Sequence, residues 1–304
     1  MTTAFVLSGG GIRGPLQVGA LRSLLEHGIK PDFFVGTSAG AINSAFMAAR
    51  GPDLAAIPEL EKGWRKGTKD VVYPGNVPTI AWRVLIGADS AFPSQGMRKL
   101  IQDNLPPGVT TFGQLKCPIY LTAVDLKSRR LYLFGEDPSA PLVDAIMASS
   151  SIPVYQDPVV YDDRQLVDGG VVAVVPCSVA MDKHADVIYA VNVGHGREEQ
   201  PAVRGILNVL MRTIDTFISQ SLFNDLKRAE DNAAVALHHI HITDFSDLPF
   251  NDFKHIDEMF AAGKAATDRY LENPVPFLAG PAAQEAPPPY TVRGAREYIL
   301  PYLR

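Results

Sequence analysis

The chain has 304 residues, of which 46% are hydrophobic and 20% charged, with a net charge of −5. These proportions exclude a wholly disordered, collagenous or coiled-coil protein, and the acidic balance argues against a nucleic-acid partner held by general electrostatics. At about 150 residues per domain the length fits two domains or one large α/β domain, with core enough to need no disulfide or metal staple.

The apolar run Ala4–Leu7 ends in glycines and predicts a buried strand. Leu16–Leu25 follows as a helix, with Leu21, Leu24 and Leu25 on one face, stopped by Gly28 and Pro31. Asp32–Val35 predicts a second strand and the alanine-rich stretch Ala41–Ala49 a second helix. This β-α-β-α opening predicts a parallel sheet. A helix is expected around Leu54–Lys66. Tyr73–Pro93 is irregular but carries Trp82, Val84, Leu85 and Ile86, as a lid or a wall of a binding pocket would.

Ile119–Val124 and Arg130–Phe134 predict strands joined by a turn over Lys127-Ser128. Leu142–Ala148 predicts a helix, Gln165–Val167 a short strand, Ser178–Lys183 a helix and Val187–Val193 a strand. Ile206–Arg228 predicts a long amphipathic helix with Ile206, Leu210, Ile214, Phe217 and Leu222 near one stripe. Leu237–Ile242 is a late strand and Phe253–Leu271 the last helix. Pro274–Tyr290 holds six prolines and reads as an extended tail. With no internal repeat and no sharp break in composition, one α/β domain is expected over residues 1–272, with a proline-rich tail over 273–304.

Cys117 and Cys177 lie beside prolines, outside any C-x-x-C, and read as small buried hydrophobes. The N-terminus lacks the marks of a secretory signal, and no run approaches the ~20 apolar residues of a membrane span. A cytoplasmic location is expected.

Three glycine-rich motifs carry the chemistry. Gly9-Gly10-Gly11-Ile12-Arg13-Gly14 stands between a strand and a helix. It fits G-x-G-x-x-G, in which backbone N–H groups approach a negative charge. A dinucleotide fold would place an acidic residue at the end of the next strand. That strand ends in Val35-Gly36-Thr37, so the motif reads as an oxyanion-binding turn rather than a nucleotide cradle. Gly36-Thr37-Ser38-Ala39-Gly40 is G-x-S-x-G on a strand-turn-helix, the context of a nucleophile elbow. Small neighbours let the turn close and leave Ser38 Oγ at a helix N-terminus. Asp168-Gly169-Gly170 taken alone favours a hairpin turn over a catalytic corner.

Together the three motifs resemble the patatin-like phospholipase family. The resemblance extends through Cys117-Pro118, Thr122–Leu126, Ala148–Pro153, Ala185-Asp186-Val187 and Asn192-Val193-Gly194, and runs from about Thr3 to Leu271. It implies a central, mainly parallel sheet flanked by helices, and lipid acyl-ester hydrolysis by a Ser38–Asp168 dyad with no metal or other cofactor. In that chemistry Ser38 attacks the ester and the glycine turn binds the oxyanion through Gly10, Gly11 and Ile12 N–H. Arg13 orients the turn or is an ordinary solvated arginine. The partner is then a lipid or ester substrate, and a lipid would bring the protein to a membrane surface. Ala173 and Val174 stand where the family often has asparagines. Two rival readings remain: a Ser-Asp-His triad drawing on His238, His239, His241 or His255, and a non-catalytic module that binds a lipid or nucleotide through the glycine turns.

Overall fold

The computed structural model describes residues 1–193, 202–249 and 252–275. The opening motif folds as β1 (Thr3–Leu7), α1 (Gly14–Glu26), β2 (Phe33–Gly36) and α2 (Ala39–Arg50). Four helices follow: α3 (Ile57–Lys66), α4 (Lys69–Val72), α5 (Val77–Leu85) and α6 (Gln95–Asn104). The chain then forms β3 (Ile119–Asp125), β4 (Arg130–Phe134), α7 (Leu142–Ser149), β5 (Val159–Tyr161) and β6 (Arg164–Asp168). It continues through α8 (Cys177–Asp182), β7 (Val187–Val193), α9 (Ile206–Glu230), β8 (Ala236–Ile242) and α10 (Ile256–Glu272). The expected tail lies, beyond residue 275, outside the described residues.

β8, β7, β1, β2 and β3 run parallel in that spatial order. β4 and β6 pair antiparallel with β3, and β5 with β6. This is the expected α/β class, a mainly parallel central sheet flanked by helices. On one face α1, α2, α3, α7 and α10 bury Leu16, Leu21, Phe46, Leu60, Ile146 and Met259 against Phe5, Phe34 and Leu121. On the other, α8 and the last turns of α9 bury Cys177, Val179, Leu222 and Leu226 against Val6, Val35 and Ile188. Both cysteines are free and buried.

β3 aligns the two halves of the site. Leu121 pairs with Gly36 on one side and Phe134 on the other, while Ala123 pairs with Asp168 and Tyr132. Since β4 occupies one edge of β3 from Leu121 to Asp125, β6 must continue the edge that β2 leaves. Asp168 therefore arrives two positions along β3 from the end of β2, where the chain turns into α2.

The structure departs from the sequence-based expectation in four places. The irregular Tyr73–Pro93 stretch contains α5, and α6 follows it. β5 pairs with β6 through a turn at Asp162-Asp163, both at positive φ; the hairpin is there, and Asp168-Gly169-Gly170 is not one. Gly169–Val171 instead forms a short 3-10 turn. In α9, Leu222 is buried, but Ile206, Leu210 and Phe217 of the same expected stripe are exposed. The 25 residues of α9 span ~37 Å at 1.5 Å each, whereas a seven-residue strand spans ~23 Å, so the helix is longer than the strands it packs against.

Candidate active site

The site lies at the carboxyl ends of β1 and β2, where parallel sheets leave a crevice. Ser38 joins β2 to α2 with φ 54° and ψ −119°, a conformation that costs a non-glycine residue ~1–3 kcal/mol. The elbow is tight: a Cβ on Gly40 would lie 2.1 Å from the Leu7 carbonyl oxygen. That closeness explains the small residues Gly36, Ala39 and Gly40 around Ser38. Thr37 Oγ1 donates to the Ala173 carbonyl at 2.9 Å and accepts from Thr122 Oγ1 at 2.6 Å. The elbow is thereby tied to β3 and to the segment after β6.

Asp168 is 6% exposed, as is Ser38. The Asp168 carboxylate accepts a hydrogen bond from Gly170 N–H at 2.7 Å and interacts with the Ser38 side chain. Burial pushes its pKa up from 3.8 to about 6, against the opposing pull of Ser38 and Gly170. Gly169 packs so closely on Thr122 that a Cβ would sit 2.2 Å from its hydroxyl.

The glycine turn splits into bonded and unbonded donors. Gly9 N–H donates to Val174 O at 2.9 Å, Arg13 N–H to Gly10 O at 3.1 Å and Gly14 N–H to Gly11 O. Gly9, Arg13 and Gly14 therefore offer no free backbone N–H to a ligand. Among the described residues, Gly10, Gly11 and Ile12 N–H meet no backbone or side-chain acceptor. Arg13 is half-buried rather than freely solvated, its Nε 3.4 Å from Gly10 O. Burial lowers its pKa, and Asp215 opposes that shift. The departures Ala173 and Val174 are buried. Their backbone carbonyls, rather than any side chain, hold the elbow and the glycine turn.

Beneath the turn runs a polar network that sequence reasoning missed. Trp64 Nε1 donates to Asn43 Oδ1, Asn43 Nδ2 to Gln17 Oε1 and Gly14 O, and Gln17 Nε2 to Ser8 O. It missed Ser149 and Ser150 as well. Ser38 N–H donates to Ser149 Oγ at 3.0 Å, and Ser150 Oγ donates to Ser38 O at 3.2 Å. The segment Ala148–Pro153 carried the family resemblance, but nothing in the sequence said what its hydroxyls touch.

From Ser38, Gly11 and Ile12 an apolar cavity extends between α2, α3 and α6, walled by Ile42, Phe46, Leu60, Met97, Ile101 and Ile146. The space around it, open mouth and adjoining solvent included, is about 890 Å³. Val72 and Tyr73 line it; Trp82 and Leu85 do not. Trp82, Leu85 and Ile86 are instead 60%, 78% and 57% exposed on and just after α5.

The histidines of the triad reading are elsewhere. His238, His239 and His241 lie on β8, beyond β1 and β7 from the elbow. His238 stacks on Tyr189, and burial brings the His239 pKa down to about 3. His255 precedes α10, 3.8 Å from Glu258.

A family model for patatin-like phospholipases matches residues 5–181, more than half of the chain. The chain belongs to the patatin-like phospholipase family. It is 30% identical over 199 residues to patatin-like phospholipase domain-containing protein 7 of Rattus norvegicus, covering 63% of this chain and 13% of that protein. It is also 25% identical over 291 residues to uncharacterized protein YqhO of Bacillus subtilis (strain 168), covering 88% of this chain and 97% of that one. Among solved structures, VipD from Legionella pneumophila aligns with 89% of this chain and 66% of its own, at 12% identity and a TM-score of 0.48. Among the described residues, no helix is long and apolar enough to cross a membrane.

Proposed function

We propose that the protein hydrolyses carboxylic esters of lipids through a Ser38–Asp168 dyad. The observation that carries this reading is a strained serine elbow and a buried carboxylate brought together at the end of an apolar cavity. Family membership supports the substrate class.

The acyl chain of the substrate lies in the cavity, with its ester carbonyl at Ser38. Ser38 Oγ attacks the carbonyl carbon and its proton passes to Asp168. A pKa of about 6 suits this transfer, because the group is ionised at neutral pH yet basic enough to take a proton. The oxyanion that forms is met by Gly10, Gly11 and Ile12 N–H, each such donor being worth ~3 kcal/mol of barrier. Asp168 returns the proton to the departing alcohol. It then takes one from a water that attacks the acyl-enzyme, releasing the fatty acid and restoring Ser38. Exposed Trp82, Leu85 and Ile86 supply apolar contact of the kind that holds a protein at a lipid surface.

The test is fatty-acid release by purified protein from a phospholipid, a lysophospholipid and a glyceride of the same chain length. At least one should be turned over, and Ser38→Ala should remove that turnover. Absence of release from all three, or equal release by Ser38→Ala, would rule the reading out.

A further inference from the structure

The strained backbone of Ser38 is gripped at both of its polar groups by consecutive residues. Its N–H donates to Ser149 Oγ at 3.0 Å, and its carbonyl accepts from Ser150 Oγ at 3.2 Å. The next residue, Ser151, accepts Asp168 N–H on its own carbonyl at 2.9 Å. The Ser151 hydroxyl in turn lies 2.9 Å from Met147 O and 3.0 Å from Asp157 O. All three serines are buried. Successive residues at the end of α7 thus bind the elbow and the carboxylate strand to one another.

We propose that Ser149-Ser150-Ser151 is a positioning bridge for the dyad, with Ser149 its critical member; this rests on the hydrolase reading above. The two grips on Ser38 are unequal. The Ser38 carbonyl also accepts from Ala41 N–H at 2.9 Å and Ile42 N–H at 3.2 Å, so it keeps partners without Ser150. The Ser38 N–H has Ser149 Oγ and, among the described residues, no other acceptor. Removing that oxygen leaves a buried donor unpaired beside a strained peptide. The peptide between Thr37 and Ser38 then relaxes, and the Ser38 Cα–Cβ direction turns with it. The interaction weakened is the one between Ser38 and Asp168, which holds the Asp168 pKa down against burial. Tyr73 also interacts with Asp168. Burial raises its pKa, so it stays neutral at working pH. Losing the Ser38 interaction therefore raises the Asp168 pKa further, a signature that a general loss of stability does not produce.

The experiment compares Ser149→Ala, Ser150→Ala and wild type, with Ser38→Ala as control, after circular dichroism and Tm have confirmed folding. Measured are kcat, KM, the rate of fluorophosphonate labelling and the acidic limb of the pH profile. Ser149→Ala should lower kcat and labelling rate ~10–100-fold with KM within about threefold, and should move the acidic limb to higher pH. Ser150→Ala should stay within about threefold of wild type throughout. Should Ser149→Ala fail to fold, Ser149→Cys keeps the shape with a weaker acceptor and should show the same split at smaller size. A folded Ser149 variant with wild-type kcat, labelling rate and acidic limb overturns the bridge. So do equal losses in the two alanine variants that track Tm. A wild type that takes no label at Ser38 counts against the hydrolase reading itself, and the bridge falls with it.

Discussion

Replacing Asp168 by Asn should abolish turnover and make the protein more stable at neutral pH. Asp168 is buried, and burial raises its pKa from 3.8 to about 6. Between those values the folded state binds a proton that the unfolded chain has released. Stability contributed by this group is therefore greatest below about pH 4 and is lost as pH rises through about 6. At 1.36 kcal/mol per tenfold change in proton affinity, the loss is about 3 kcal/mol at pH 7. Asn keeps an acceptor for Gly170 N–H and offers Ser38 an N–H donor, so the substitution removes the buried charge and leaves the contacts filled. Urea unfolding of both forms between pH 4 and 8 measures this. The stability difference should be near zero at pH 4 and grow to about 3 kcal/mol in favour of Asp168→Asn at pH 7, a rise in Tm on the order of 5–10 °C. A variant less stable than wild type at pH 7, or a difference that does not change with pH, would refute the argument that burial sets the carboxyl's proton affinity.

The same carboxyl fixes the pH profile. Asp168 must be ionised to accept the Ser38 proton, so kcat/KM on a soluble ester should fall on the acidic side with an apparent pKa of about 6. A limb near 4 would mean that the buried carboxylate is not the base. Val72 lines the cavity and Trp82 does not. Val72→Trp should accordingly cut activity on long-chain esters about tenfold more than on short ones, whereas Trp82→Ala should leave the ratio of the two unchanged. A shifted ratio in Trp82→Ala would return that side chain to the pocket wall. Hydrolysis of a soluble ester should survive EDTA, because the proposed base and oxyanion donors all belong to the chain. Loss of activity restored by calcium or zinc would contradict the dyad.

What the sequence made legible was local. A strained serine turn needs small neighbours, so Gly36-Thr37-Ser38-Ala39-Gly40 announces its own geometry. The parallel sheet showed in the alternation of short apolar runs and helices at the N-terminus. The meeting of Ser38 with Asp168 was reached only through family resemblance, because it depends on β6 continuing the edge of β3 that β2 leaves. Ser149 was passed over for a similar reason: a serine at a helix end looks alike whether its hydroxyl caps the helix or holds a distant amide. β5 has three residues, and α6 offers only Met97 and Ile101 as buried apolar side chains, so neither produced a readable period. The α9 stripe misled in the other direction, since a helical period says which side chains share a face and not whether anything covers it.

The most direct measurement is to trap the acyl-enzyme. The protein is mixed with a rapidly acylating p-nitrophenyl ester, quenched in acid within the first turnovers, and examined by intact mass and peptide mapping. The account predicts one added acyl group, on Ser38, formed in a burst of p-nitrophenol and absent from Ser38→Ala. Turnover without a burst or adduct, or an adduct on any other residue, would contradict it.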